Sequence, residues 1–426
     1  MATAQGMVDY IAASPSPFHC VAETERRLVD RGFEKCSLLD LPAAMAPGSR
    51  MYVVDGGTIA AWIAGDRAPV QSGFRILGAH TDSPNLRLKP RAEYTREGYA
   101  QWGVEVYGGV LRHTWFDRDL GLSGRIVVRD GEGHRLELVR VDEPVARIPN
   151  LAIHLNREVT AKGFQVNAQK HFPPMVGLAS EKGGLRELLA TNAGVSADEV
   201  LSWDVGLHDT QAPCVGGLRK EFIFAPRLDN QASCYTALEA ILAVDGTPEA
   251  TSVMCLFDHE EVGSTSATGA GSAFLRNVLS RVTAAHSGGS EGGLERAAAR
   301  SFLVSADMAH GVHPNYAGRH EGEHKPMLNG GPVIKSNANL RYATDAVTAA
   351  RFKLACEAEN VPVQEFVNRT DLACGSTIGP LSAAQLAIAT VDVGCAMLSM
   401  HSIREQCGTS DVDFMARVMR RILQEG

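Results

Sequence analysis

Short apolar runs alternate with longer helical patterns along most of the chain, and the pattern changes once on the way. Over residues 1–30, Met7, Ile11, Val21 and Leu28 carry a helical spacing broken at Ser14-Pro15-Ser16-Pro17. Strand-like runs follow at 51–54, 59–63 and 74–77, separated by Gly pairs or charged turns. Between 91 and 217 the pattern becomes strand-rich. Segments such as 124–129 and 136–141 are joined by Gly- and Asp-rich turns, and helical periodicity shows mainly around 185–190. From 221 onward strands (221–225, 253–257, 302–305, 333–336) alternate with helices (234–244, 346–360, 412–424). This alternation predicts an α/β layer fold with a parallel or mixed sheet, interrupted by a separate β-rich unit. The GGSEGG run at 288–293 reads as a loop.

Composition narrows the class. At 426 residues the chain is long enough for two or three domains with ample core. Asp plus Glu number 49 against 41 Lys plus Arg, a formal charge of −8 with no long basic run, which argues against nucleic acid as the partner. Nine cysteines, odd in number, scattered and without a CxxC pair, point to a reducing compartment rather than a disulfide framework. The start, MATAQGMVDYIAAS, has neither a basic n-region nor a long apolar core, so no secretory signal is expected and a cytoplasmic location follows. The most apolar window, 381–400, is broken by Gln385 and Asp392; it predicts a buried helix or helix–strand pair, not a membrane span.

Candidate chemistry gathers where the apolar runs stop. Residues 74–79 lead into His80-Thr81-Asp82, 222–224 into Arg227-Leu228-Asp229, 253–257 into Asp258-His259-Glu260-Glu261, 302–306 into Asp307, and 397–400 into His401. In α/β sheets the carboxyl ends of strands form the ligand crevice, so these groups can converge. Two histidines and three carboxylates are a mixed N/O set suited to Zn²⁺, and five ligands fit two ions sharing one carboxylate better than one four-coordinate ion. Of the adjacent pair Glu260-Glu261, one can hold metal while its neighbour takes a proton. Asp82 is placed to accept the other imidazole N–H of His80. Each cluster also has a plain reading: Asp229 as a helix N-cap, Glu260-Glu261 as a solvated pair, Asp307 as a strand end. It is their joint occurrence that favours a site.

The segments GAHTDSPNLRLKP (78–90), RLDNQAS (227–233), DHEEVGSTSATGA (258–270), SADMAHGVHPNY (305–316), GGPVIKSNANLRYATD (330–345), CGSTIGP (374–380) and AMLSMHSIRE (396–405) resemble the aspartyl aminopeptidase family. The resemblance implies a zinc-exopeptidase-like catalytic domain of mixed sheet and flanking helices, in segments 1–92 and 218–426. It also implies an inserted β-rich dimerisation domain at 93–217 and dimers assembling into a homododecamer. It implies two Zn²⁺ per subunit, with Co²⁺ or Mn²⁺ as substitutes, and removal of N-terminal Asp or Glu from peptides. Residue by residue, His80 and Asp307 are similar to the ligands of one ion, Glu261 and His401 to those of the other, and Asp229 to the bridge. Glu260 takes the place of the general base, Asp82 that of its orienting neighbour. His154 resembles a histidine that reaches a neighbouring subunit's site. Lys335, with Tyr342 close by, resembles the reader of the acidic side chain, and Gly375 and Ser376 a pocket-lining loop. Without the resemblance, Lys335 reads as an exposed strand lysine and His154 as packed or surface-exposed. A different dinuclear hydrolase and a silent self-assembling shell protein also stay open.

Overall fold

A computed structural model describes residues 2–39, 44–179, 184–287 and 292–425; positions 288–291 of the glycine-rich run lie outside the described residues. The chain divides into two units. One comprises Met1–Asp82, Pro213–Met400 and Glu405–Gly426, the other Ser83–Ala212 with His401–Arg404.

The first unit is built on a nine-stranded mixed sheet. Its order is Glu34–Lys35, Arg50–Asp55, Thr58–Ile63, Thr251–Phe257, Phe74–His80, Phe302–Ala306, Ala389–Gly394, Val333–Lys335, Gln364–Phe366. Thr251–Phe257, Phe74–His80 and Phe302–Ala306 are adjacent and parallel, and the sheet turns antiparallel beyond them at Thr58–Ile63 and Val333–Lys335. Every residue of these three strands is buried, as a strand covered on both faces requires. The two-residue period then divides their side chains between two cores. Leu77, Ala79, Met254, Leu256, Val304 and Ala306 pack with the helices Ala4–Ala13, Leu228–Leu242 and Ser410–Leu423. Phe74, Ile76, Val253, Cys255, Phe257 and Leu303 pack with Phe274–Ser287 and Ile378–Leu386 on the other side. The apolar window 381–400 resolves into the helix Ile378–Leu386 and the strands Ala389–Gly394 and Ala396–Leu398. No helix among the described residues is long and apolar enough to cross a membrane.

A second, five-stranded sheet in the same unit runs Cys214–Gly216, Phe222–Ala225, Glu405–Gly408, Ala396–Leu398, Ala309–His310. It corrects one expectation. Only the clusters at His80, Glu260-Glu261 and Asp307 follow strands of the main sheet; those at Asp229 and His401 follow strands of the smaller one.

The second unit is a closed six-stranded barrel in the order Val200–Asp209, Asn85–Arg96, Tyr99–Tyr107, Met175–Leu178, Gly133–Arg147, Asp119–Asp130. It has its own core of Trp102, Leu120, Leu122, Ile126, Phe172 and Leu189. The units part at Asp82/Ser83, ahead of the expected 92/93, because Asn85–Arg96 pairs with Tyr99–Tyr107 from its first residue. They part again at Ala212/Pro213, ahead of 217/218, because Cys214–Gly216 already pairs with Phe222–Ala225.

The central strands carry the first unit's stability. Leu256 is fully buried, and Leu256→Ala removes its apolar surface and leaves a cavity, at a cost of about 2–5 kcal/mol. Thermal or denaturant unfolding of the variant should show a loss in that range; a change below about 1 kcal/mol contradicts this packing.

Candidate metal centre

The register of three parallel strands sets the site. His80 ends its strand directly opposite Phe257, and the chain beyond Phe257 turns at once into the short 3₁₀ helix Glu260–Val262. Asp82, fully buried, fixes that turn: its two carboxylate oxygens accept the backbone N–H groups of Glu260 and Glu261, each at 3.1 Å. Charged hydrogen bonds of this type contribute roughly 1.5–3 kcal/mol each. The imidazole is oriented mainly by a different atom than expected. His80 Nδ1 lies 3.0 Å from the Asp82 carbonyl oxygen and 3.4 Å from its carboxylate. With Nδ1 donating to that carbonyl, the lone pair sits on Nε2, which faces the carboxylates.

Around Nε2 stand Asp229 Oδ1 at 3.4 Å, Asp307 Oδ1 at 3.8 Å and Glu260 Oε2 at 3.9 Å. His80, Asp229 and Glu261 each offer a ligand atom within 4.8 Å of the others. Asp229 comes from the start of the helix Leu228–Leu242, but its backbone there is not helical and Arg227 holds the cap position, so the N-cap reading is not what is seen. Its backbone N–H donates to Glu405 at 3.1 Å, and the neighbouring Asn230 side chain donates to the carbonyl of Ala306, tying this segment to the end of the Asp307 strand. Cys234 Sγ donates to the His80 carbonyl at 2.9 Å.

The donor chemistry fits a cation. Two ligands each ~2.1 Å from a tetrahedral ion stand about 3.4 Å apart, the scale of the His80–Asp229 separation. Buried like charges otherwise resist ionisation. Burial, opposed by His80 and reinforced by Asp307, Asp229 and Asp82, pushes the Glu260 carboxyl up to about 8. Burial and then Asp229 push Glu261 well above the carboxylate range. Burial works against a charged His80, yet hydrogen bonding to Asp229, Asp307 and Asp82 raises its pKa well above the usual value.

Lys335 is buried, 2 % exposed, rather than an exposed strand lysine. Its Nζ lies 3.6 Å from Asp307 Oδ2, donates to the Met308 carbonyl at 3.3 Å, and sits 5.1 Å from the Tyr342 ring centre. Tyr342 is buried beside Cys374, and burial followed by the Cys374 hydrogen bond pushes its phenol well up. Gly375 and Ser376 are exposed in the loop before the helix Ile378–Leu386, and the Ser376 hydroxyl donates to the Arg341 carbonyl. His401 and His154 are grouped with the second unit. There His401 Nδ1 lies 3.0 Å from the Gly109 carbonyl oxygen, and His154 is exposed in the one-turn helix Ile153–Leu155. The first unit therefore gathers His80, Asp229, Glu260, Glu261, Asp307 and Lys335. Sequence reasoning missed Glu405, which lies at the end of a quoted segment, and the carbonyl that orients His80, for which no residue type gives a signal.

Residues 10–421 match the family model of aminopeptidase I zinc metalloproteases, M18. The chain belongs to the M18 family. A probable M18 family aminopeptidase 2 of Ectopseudomonas mendocina is 47 % identical over 425 residues, covering 97 % of this chain and 96 % of that one. Among solved structures, a chain of the Ape4–Nbr1 complex superposes with a TM-score of 0.94 at 37 % identity, covering 98 % of this chain and 84 % of the other. A chain of the S. cerevisiae mApe1 dodecamer gives a TM-score of 0.85 at 28 % identity, over 98 % and 95 %. For an M18 metalloaminopeptidase, the N/O cluster at His80 is the zinc-compatible place among the described residues.

The raised carboxyls set the behaviour of the metal-stripped protein. Glu260 and Glu261 have folded pKa values above the unfolded carboxyl, and His80 one above unfolded histidine, so in each case the folded state binds the proton more tightly. Their contribution is present at low pH and is lost as pH rises towards 8 and beyond. Thermal unfolding of the stripped protein should therefore shift to lower temperature between pH 6 and 9, and added Zn²⁺ should remove that trend. A stripped protein equally stable across this range contradicts the cluster's electrostatics.

Proposed function

We infer that the chain is an aminopeptidase of the aspartyl type, removing N-terminal Asp or Glu from peptides. The observation that carries this reading is Lys335, a buried ammonium 3.6 Å from Asp307 and so at the edge of the carboxylate cluster. A cation held there meets an acidic side chain where a neutral one gains nothing from it. A charged hydrogen bond from Lys335 contributes roughly 1.5–3 kcal/mol, a preference of about 10- to 150-fold.

His80, Asp229, Glu261, Asp307 and His401 would hold two Zn²⁺; N/O donors of this kind also accept Co²⁺ or Mn²⁺. Bound zinc supplies Lewis acidity and lowers the pKa of water. Glu260 acts as general base: its backbone is fixed by Asp82 and its carboxylate lies 3.9 Å from His80 Nε2, so it can take the proton of the attacking water and pass it to the departing amine. Tyr342, Gly375 and Ser376 shape the pocket around Lys335. His154 steadies the oxyanion in a neighbouring subunit's site. Self-assembly, as dimers in a homododecamer, draws support from the mApe1 dodecamer and from the exposed Leu151, Ile153 and Leu155 around His154. The β-rich unit serves as the dimerisation domain. The nine cysteines without a CxxC pair support a cytoplasmic location.

Rates on Asp-, Glu-, Leu- and Lys-amide substrates test the specificity. Acidic residues should be preferred, and a preference for Leu overturns the acidic pocket. Glu260→Gln should lower kcat by about 10²–10⁴ while metal content and unfolding temperature stay near those of the parent; near-normal turnover removes the base assignment.

A further inference from the structure

Asp392, the charge that breaks the most apolar stretch of the chain, has no part in metal binding or proton transfer. It lies in the strand Ala389–Gly394, next to Ser305 of the Phe302–Ala306 strand in parallel register, and is fully buried. A carboxylate there is costly unless its oxygens are filled. Oδ1 accepts the Ser305 hydroxyl at 2.5 Å and the Thr377 hydroxyl at 2.7 Å. Oδ2 accepts the backbone N–H of Ala343 at 2.5 Å. The Asp392 backbone N–H in turn donates to the Thr344 hydroxyl at 2.9 Å.

Two of these donors adjoin the pocket segments. Ala343 follows Tyr342, over whose ring the Lys335 ammonium lies. Thr377 follows Gly375-Ser376 and caps the helix Ile378–Leu386, its hydroxyl accepting from the Gly379 N–H. The approach is close: a Cβ at Gly379 would come within 2.3 Å of Asp392 Oδ2, so only glycine fits there. Burial raises the Asp392 carboxyl above its ordinary value, and Lys335 and these hydrogen bonds oppose that rise.

We propose that Asp392 is a positioning residue for substrate specificity: its carboxylate locks the Tyr342 and Gly375–Ser376 segments to the strand beneath Lys335. It touches no substrate and acts only through those segments. The proposal rests on the acidic-substrate reading above and deepens it.

Asp392→Asn tests it without loss of volume. The amide cannot accept on both sides: either its NH₂ opposes the Ala343 N–H, or it donates to the two hydroxyls, which must turn from donors to acceptors, and in both cases the charge-assisted bonds that hold these segments are lost. In the metal-loaded full-length enzyme, the ratio of kcat/KM for Asp-amide over Leu-amide should fall about 10-fold or more, the loss appearing mainly in KM for the acidic substrate. Thr377→Val breaks one link and should shift the same ratio about 3- to 10-fold, with Thr377→Ser restoring it; this pair carries the test if Asp392→Asn does not fold. Equal proportional losses on both substrates, or an unchanged ratio, overturn the positioning role. If the parent enzyme shows no acidic preference, the acidic-substrate reading falls and this proposal with it. If the parent prefers Asp and the variants keep the preference, only the role of Asp392 falls.

Discussion

The crowding of carboxylates out of water, each penalised by burial and then by its neighbours, is the constraint on which the rest of the site depends. Asp229, Glu260 and Asp307 all lie within 4 Å of one imidazole nitrogen, and Glu261 joins His80 and Asp229 in a ligand set. Burial first, and then the neighbouring carboxylates, push both glutamate carboxyls well above their ordinary range. Packing alone gives no reason to assemble such a group; divalent ions give one. The fold supplies what holds the carboxylates together. Three adjacent parallel strands end at one level, and each is locked on both faces by an apolar core.

Two other buried carboxylates organise the main chain around this centre. Asp82 accepts the N–H groups of Glu260 and Glu261, so both glutamates leave the sheet along a fixed path. Asp392 gathers a hydroxyl from one strand, a helix cap and a backbone N–H beside Tyr342. In each case a charge is stabilised by main-chain and hydroxyl donors, and the donors are ordered in return. The Asp82 set orders the turn at Glu260-Glu261, the Asp392 set the segments beside Tyr342 and before the helix Ile378–Leu386.

The parts legible in the sequence were those with a strong local signal. Apolar runs at 74–77 and 253–257 read as strands because every residue in them is buried. The split at Ser14–Pro17 was visible in its prolines, which part the helices Ala4–Ala13 and Pro17–Val29. Strand order was not legible. Nothing local says that the strand before Asp229 joins the small sheet, or that Asn85–Arg96 closes a barrel rather than continuing the nine-stranded sheet. Asp392 registered only as an interruption in an apolar window, since its partners lie 15 to 87 positions away. Lys335 looked exposed from its strand context, and its burial comes from long-range packing against Met308 and Tyr342.

A cluster built to bind cations must give up protons as it takes them. Calorimetric titration of Zn²⁺ into the metal-stripped full chain at pH 7, repeated in two buffers of different ionisation enthalpy, measures both quantities at once. Stoichiometric binding at two ions per chain with net proton release is expected, with binding lost in Asp229→Asn. Binding without proton release, or no stoichiometric binding at all, would contradict it.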